Sequence, residues 1–324
     1  MDNVPAEILD FLKTGYKFIV AGHKEPDGDC IGSQLALGSI LKRLGKNVIQ
    51  CSSGPFKRTE IKKYENLFCP NPDSKMKQDA RVIITDCSSA ERMGDLADLL
   101  KGLPTALIDH HTRGIETPAH NGPVFINSEA PSVTFMILKL ADTLGIELTA
   151  VEAELLLFGL CTDTGFFRHE DSNSAETFEA AARFIRAGAS PKKTFQAING
   201  GKSLDSRHLL ARILGRAESF FNGKLIVSSE ELEETRQFGP QGKDSDTLYQ
   251  LIQSIEGVEA IVIIRQENPE NCVVGLRSKD NVDVSAIARF FNGGGHKNAA
   301  GAVVPGTIAE IKKKILEIFQ LHLS

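Results

Sequence analysis

Four short stretches of the 324-residue chain put aspartate or histidine just beyond an apolar run. The first is His23-Lys-Glu-Pro-Asp27-Gly-Asp29, where Pro26 and Gly28 make a tight turn, so that Asp27 and Asp29 can project toward one point. Gly32 and Ser33 then open a helix whose first N–H groups can face an anion. The second stretch is Asp86 after Val-Ile-Ile-Thr, and the third is Asp109-His110-His111 after Ala-Leu-Ile. The fourth is Asp163 in Cys-Thr-Asp-Thr-Gly, after the apolar run Leu155–Leu160. Taken singly, each reads as a cap, a turn residue or a satisfied histidine. Four in series, each after a buried element, point to a metal site. Oxygen and imidazole donors without thiolate suit manganese or magnesium, with zinc or cobalt less favoured. Asp27, Asp29, Asp86 and Asp163 would gather about four negative charges, and two divalent cations would offset them with about +4. Paired ions ~3.5–4 Å apart can clamp the attacking and leaving oxygens of an in-line displacement at phosphorus.

Residues so far apart in sequence meet only if the fold brings them together. Lys17–Ala21, Asn47–Cys51, Val82–Thr85 and Thr105–Ile108 read as buried strands. Gln34–Leu44, Glu91–Leu100, Val133–Leu144, Val151–Leu160 and Ala175–Ala187 read as helices. The alternation predicts an α/β fold, a mostly parallel sheet with helices on both faces, in which loops at the carboxyl ends of the strands converge on one crevice. That domain spans residues 1–189. A linker is expected over 190–204, with helical character at Lys192–Ile198, and a smaller α/β domain over 205–324. The smaller domain should hold a helix at Arg207–Phe220, strands at Lys224–Ser228, Val258–Arg265 and Cys272–Arg277, and helices at Val284–Phe291 and Ile308–Leu321.

Composition narrows the partners. The net charge of −5 argues against a protein that lives on long nucleic acid, which needs clustered Lys and Arg to displace counterions. No run reaches the ~18–20 apolar residues of a membrane span, and Met1–Lys13 lacks the apolar core of a signal peptide. Cys30, Cys51, Cys69, Cys87, Cys161 and Cys272 have no CxxC spacing, so a disulfide framework or structural zinc is not expected and a cytoplasmic setting is. Cys30 and Cys87, beside candidate ligands, read as small packing residues, and Phe166 and Phe167 as core with the option of stacking a base. Arg113 and His120 could approach a phosphate.

Near the C-terminus stands Gly293-Gly294-Gly295-His296-Lys-Asn-Ala-Ala-Gly, preceded by a strand ending Leu-Arg277-Ser278. The glycines let backbone approach a ligand and offer N–H groups to phosphate, His296 adds a donor, and Arg277 can bind phosphate bidentately.

The succession His-x-x-Pro-Asp-Gly-Asp-x-x-Gly-Ser, an isolated Asp after a strand, Asp-His-His and Thr-Asp-Thr-Gly resembles the DHH phosphoesterase superfamily over essentially the whole chain. The resemblance implies that His23 and Asp27 bind one ion, that Asp29, His110 and Asp163 bind the other, and that Asp86 bridges. It makes Asp109 the residue that orients an adjacent imidazole and His111 the group over the substrate phosphate. The glycine string resembles the small substrate-binding domain of one subfamily, in which Arg277, Ser278, Gly293, Gly294, Gly295 and His296 would hold substrate. The type this points to hydrolyses short oligonucleotides and removes the 3′-phosphate of phosphoadenosine phosphate, using two divalent ions, manganese first and magnesium or cobalt as alternatives. A homodimer through the first domain follows from the same resemblance. The alternatives are a phosphodiesterase specific for cyclic or linear dinucleotides, and a nucleotide-binding regulator without turnover.

Overall fold

The structure is a computed structural model and describes residues 4–87, 89–111, 121–170, 174–239, 243–279 and 281–323. The chain divides into two compact units, Met1–Gly201 and Lys202–Ser324. In the first unit the order is α1 (Ala6–Thr14), β1 (Lys17–Ala21), α2 (Gly28–Arg43), β2 (Asn47–Cys51), a 3-10 turn (Lys62–Leu67), α3 (Ser74–Lys77), β3 (Ala80–Thr85), α4 (Ala90–Met93) and α5 (Leu96–Leu99). It continues with β4 (Thr105–Asp109), β5 (Val124–Ile126), α6 (Val133–Thr143), α7 (Ala150–Asp163), α8 (Ala175–Arg186) and α9 (Pro191–Asn199).

Every pairing in the first sheet is parallel, in the order β2-β1-β3-β4-β5. Both faces are covered, so the strands are apolar throughout rather than alternating. Phe18, Val20, Ile83 and Ile108 pack with α1, α2, α6, α7 and α8, whereas Ile19, Ala21, Ile84 and Leu107 face Met93, Leu96 and Leu100. Burying each large side chain contributes roughly 1.5–3 kcal/mol, so this double-sided core holds the sheet in place. From β1 the chain passes to β2 on one side and later to β3 on the other. The strand order therefore reverses beside β1, and in open α/β sheets the crevice at such a point is where ligands bind.

The helices that carry the aspartates cross closely. A Cβ on Gly32 of α2 would lie 2.6 Å from the Leu155 carbonyl oxygen of α7. One on Gly159 of α7 would lie 2.4 Å from Thr134 Cγ2 and 2.9 Å from Asp29 Oδ1. These contacts set how α2, α6 and α7 present Asp29 and Asp163.

The second unit contains α10 (Leu204–Gly215), β6 (Glu218–Phe220), β7 (Leu225–Glu230), α11 (Leu232–Phe238), α12 (Ser245–Gln253), β8 (Ala260–Gln266) and β9 (Asn271–Ser278). It ends with α13 (Val284–Arg289), β10 (Gly294–His296), β11 (Ala299–Pro305) and α14 (Ile308–Leu323). Its sheet runs β10-β11-β9-β8-β7-β6 and is antiparallel except between β7 and β8. Val274, Leu276 and Val262 pack under α13 and α14, while Ile226, Ile261 and Ile263 pack under α10, α11 and α12.

The fold class is the one read from the sequence, with local differences. Within residues 190–204 the helical character read at Lys192–Ile198 is the helix α9, started by Ser190 and Pro191 with Thr194 buried, and the chain divides between Gly201 and Lys202. The single helix expected over Glu91–Leu100 is two short turns, because Gly94 takes a φ of 64° between them. Glu218–Phe220 pairs with β7 as a strand instead of ending a helix. Among the described residues no helix is long and apolar enough to cross a membrane.

Replacing Gly32 by Ala should lower stability by about 1–3 kcal/mol, since the new methyl meets a backbone oxygen that cannot swing away. Gly215→Ala, in a helix with nothing within 4 Å, should instead raise it by roughly 0.5–1 kcal/mol. Urea unfolding followed by circular dichroism would show the opposite signs.

Candidate functional site

Eight side chains from the four sequence stretches lie around the crevice beyond β1, β3 and β4: His23, Asp27, Asp29, Asp86, Asp109, His110, His111 and Asp163. The strand ends explain how each arrives. His23 leaves β1 two residues past its end, and Asp86 follows β3 directly, with its N–H donating to the Ile108 carbonyl at 3.0 Å. Asp86 holds a φ of 58°, a left-handed conformation that aspartate tolerates better than most residues and that costs on the order of 1–3 kcal/mol. Asp109 is the last residue of β4, and Asp163 the last of α7. Asp27 caps α2, its Oδ1 accepting from the Cys30 N–H at 3.1 Å.

Two imidazoles are locked by backbone carbonyls. His23 Nδ1 lies 2.8 Å from the Lys24 oxygen, and His110 Nδ1 lies 3.0 Å from the Ala130 oxygen. A carbonyl only accepts, so Nδ1 carries the hydrogen in both rings and a neutral ring presents its Nε2 lone pair to the crevice. His23 Nε2 is 3.4 Å from Asp86 Oδ2 and 3.7 Å from Asp27 Oδ2. His110 Nε2 is 3.2 Å from Asp163 Oδ2 and 3.8 Å from Asp86 Oδ1. Neither Nε2 completes a hydrogen bond, and both are buried, as is the unpartnered Asp86 Oδ1. Lone pairs facing lone pairs in a buried space require a cation or extra protons between them. The donor set therefore fits divalent metal: His23 and Asp86 on one side, and Asp29, His110 and Asp163 on the other, the latter three offering ligand atoms within 4.8 Å of one another.

The charge environment reports the same strain. Burial pushes the Asp86 carboxyl up to about 6, with Asp27 and Asp163 adding to the rise and His23 opposing it. Burial, reinforced by Asp163 and Asp86, also holds Asp29 well above the usual carboxylate range. For His110, burial lowers the value, but Asp163, Asp29 and Asp86 outweigh it and raise the ring to about 10. His23 is raised too, burial again being outweighed by Cys30, Asp27 and Asp86. In the absence of metal these groups hold protons that a cation would displace.

Asp29 has a second duty. Its Oδ1 accepts from the Thr134 N–H at 2.9 Å and the Thr134 hydroxyl at 2.7 Å, and its Oδ2 accepts from the Val133 N–H at 2.6 Å. It thus satisfies the N-terminus of α6 from another helix and keeps one Oδ2 lone pair for a cation. Sequence reasoning missed Thr134, although Ser132-Val-Thr134 before an apolar run is a helix-start signal. Asp109, fully buried, accepts from both the His111 N–H at 3.0 Å and its Nδ1 at 2.8 Å. His111 stacks edge-on with His110 at 4.5 Å between centroids and is 40% exposed, so its Nε2 side is the accessible one.

In the second unit, Gly294–His296 of the glycine string form edge strand β10, with Gly293 just before it. A Cβ on Gly293 would lie 2.3 Å from the Gly301 oxygen, and one on Gly295, at a φ of 144°, would lie 2.5 Å from the Ala299 oxygen. Close approach within the hairpin accounts for these two glycines, and Gly294 faces open space. His296, Ala299 and Arg277 are paired in one row across β10, β11 and β9, with Gly294, Gly301 and Gly275 in the next row on the same face. Arg277 lies over the Tyr249 ring at 4.6 Å. Ser278 is buried, its hydroxyl donating to the Val282 oxygen at 2.6 Å, and so supports the following loop rather than this face. A recess of about 850 Å³ elsewhere in this unit is lined by Arg216, Glu218 and Lys312 among others and by none of the six candidate substrate residues. Its cations are already paired, Lys312 with Glu218 and Arg216 with Glu234. Arg113 and His120 lie outside the described residues.

Comparison with known proteins agrees with the two-unit division. Residues 17–160 match the DHH family, N-terminal domain, and residues 222–321 match the DHHA1 domain. The bifunctional oligoribonuclease and PAP phosphatase NrnA of Thermus thermophilus is 29% identical over 94% of this chain and 90% of its own length. The NrnA of Bacillus subtilis is 27% identical over 92% of each chain. The crystal structure of an exopolyphosphatase-related protein from Bacteroides fragilis has the same fold, with a TM-score of 0.82 at 22% identity, covering 98% of this chain and 94% of that one.

A divalent ion should raise the melting temperature of the metal-stripped protein at pH 8, since an ion at a hundred times its dissociation constant adds about 2.7 kcal/mol. Binding displaces protons, so the increment should shrink as pH falls, and most steeply below about 6, where the Asp86 carboxyl is protonated. Thermal unfolding with and without manganese between pH 8 and 5 measures this. An increment independent of pH would contradict the assignment of these groups.

Proposed function

We infer that this chain, which belongs to the DHH family and carries a DHHA1 domain, is a metal-dependent phosphoesterase. It hydrolyses short oligonucleotides to mononucleotides and removes the 3′-phosphate of phosphoadenosine phosphate. Similarity to the two NrnA proteins over nearly the full length of both chains supports that substrate class. The net charge of −5 fits short substrates rather than long nucleic acid.

The observation that carries the reading is the position of Asp86. Its Oδ2 faces His23, while its Oδ1 faces His110 and His111. One carboxylate serving two sides supports a pair of ions with Asp86 shared between them, His23 and Asp27 completing one set and Asp29, His110 and Asp163 the other. Oxygen-rich donors favour manganese, with magnesium or cobalt as alternatives. When bound, two such ions supply Lewis acidity at the phosphate and an activated water.

The chain's own residues do the rest. Asp109 fixes the His111 ring with its hydrogen on Nδ1, which leaves Nε2 on the accessible side to hold or deliver a proton at the leaving oxygen. Asp29 ties α2 to the start of α6, which fixes the position of the first turn of α2 and of Asp29 itself. In the second unit, the face bearing Arg277 and His296 offers cationic and donor groups beside open backbone at Gly294, suited to a phosphate and a flat base.

The test incubates the purified protein and manganese with 3′-phosphoadenosine 5′-phosphate, a dinucleotide, a five-nucleotide RNA, a cyclic dinucleotide and pyrophosphate. Mononucleotide or phosphate should be released from the first three, and Asp86→Asn should cut turnover by more than about 100-fold while the far-ultraviolet spectrum is unchanged. Turnover of pyrophosphate alone would reassign the substrate, and near-normal activity of Asp86→Asn would remove the shared ligand.

A further inference from the structure

The metal-ligating set read from the sequence contained no sulfur. In the fold, however, Cys30 follows Asp29 on the first turn of α2, and its thiol is fully buried beside the His23 side of the site. Ligand atoms of Cys30, His23 and Asp86 lie within 4.8 Å of one another, the compactness that one ion demands.

Three further observations set Cys30 apart from an ordinary packing cysteine. Gln34, one turn along α2 and fully buried, donates Nε2–H to the sulfur at 3.2 Å, a contact strengthened when the sulfur carries negative charge. A Cβ on Gly22 would come within 2.3 Å of the sulfur, so the exit of β1 is bare where the thiol sits. Finally, His23, 94% buried, turns an unpartnered Nε2 into the same space, 3.4 Å from Asp86 Oδ2. Packing explains why Cys30 is buried. It does not explain a sulfur set beside an unsatisfied imidazole nitrogen and a carboxylate.

We propose that Cys30 is a further donor to the cation that His23, Asp27 and Asp86 would hold, and that it gives this position a preference for thiophilic divalent ions such as zinc, cobalt or cadmium over manganese. On binding, the S–H proton passes to solvent and a sulfur lone pair forms the bond to the ion, with no change of oxidation state. Zinc and manganese would then compete unequally for the two sides of one centre: the His23–Asp86–Cys30 side, with nitrogen, oxygen and sulfur, and the Asp29–His110–Asp163 side, with nitrogen and oxygen only. The inference rests on the reading that this site holds divalent cations.

The other cysteine beside the site supplies the control. Cys87 is also buried and adjacent to Asp86, but its thiol donates to the Ser89 carbonyl at 3.4 Å. The experiment titrates the metal-stripped full chain with cobalt and, separately, with cadmium, and records the near-ultraviolet sulfur-to-metal charge-transfer absorption while equilibrium dialysis counts bound ion. The wild type and Cys87→Ala should show the band, and Cys30→Ala and Cys30→Ser should bind ion without it. Zinc affinity should fall roughly tenfold or more in the Cys30 variants, with manganese affinity nearly unchanged. A melting temperature close to wild type in Cys30→Ser establishes that the variant is folded. Bound cobalt with no charge-transfer band, or a band that survives Cys30→Ser, would overturn the role of the sulfur while leaving the metal centre in place. No bound ion in the wild type would overturn the metal reading itself, and this proposal with it.

Discussion

The first unit is organised around a conflict that it does not resolve with its own atoms. Two imidazoles are oriented by backbone carbonyls so that their remaining nitrogens face carboxylate oxygens, and the atoms that meet are buried. A protein that needed only a stable core would fill this space with apolar side chains, because uncompensated buried charge costs several kcal/mol per group. Asp86 and His110 carry opposite formal charges when ionised, yet both hold protons more tightly than usual: Asp86 chiefly through burial, and His110 because Asp163, Asp29 and Asp86 outweigh the effect of burial. Such a cluster is at rest only when something positive sits within it. Protons on the two imidazoles serve in the absence of metal, and a divalent ion would displace them.

Keeping that cluster assembled is the work of the surrounding structure. The parallel sheet delivers His23, Asp86 and Asp109 at three strand ends, and its apolar faces are buried on both sides, so a strand cannot slip register without exposing a core residue. Helices α2 and α7 approach at Gly32 and Gly159 without side chains between them, and Asp29 fastens α2 to the first N–H groups of α6. The backbone strain at Asp86 is tolerated because its N–H is held by β4 and its neighbours leave it no alternative. Each of these features reduces stability on its own or constrains packing, and together they hold carboxylates at separations that they would otherwise increase.

Much of this was legible because chemistry of this kind needs specific residue types in specific places. The strands β1 and β2 coincide with their apolar runs, and the four aspartate or histidine stretches can be read directly. What could not be read was relational. Nothing in the local sequence says that Asp29 spends three acceptor positions on α6, or that the sulfur of Cys30 turns toward His23 rather than into the core. In the second unit the hairpin β10–β11 escaped notice because Gly294-Gly295-His296 and Ala299-Ala300-Gly301 lack the β-branched alternation that marks a strand. Their pairing is set by close backbone approach instead. Helices α11 and α12 were missed for a similar reason: their sequences are mostly polar, and their existence depends on Phe238, Leu248 and Tyr249 finding the face of β7 and β8.

The glycine hairpin of the second unit is shaped by close backbone approach, and its outer face is the one proposed to meet substrate. Gly293 and Gly295 are required by the hairpin itself, and Gly294 faces open space, whereas Gly275 in the same row lies under the Tyr249 hydroxyl, 2.2 Å from where its Cβ would be. Arg277 and His296 lie two strand spacings apart, roughly 9–10 Å, and point to the same side. Arg277 is steadied by its own contact with Tyr249, so its guanidinium loses less freedom when it meets an anion. A surface of this size can engage a phosphate and an adjoining base. It offers no continuous cationic track along which a polymer could lie, because this row carries one guanidinium and one imidazole. If this face holds substrate as proposed, short substrates would be favoured twice: by a chain whose net charge is negative, and by a surface about one nucleotide wide.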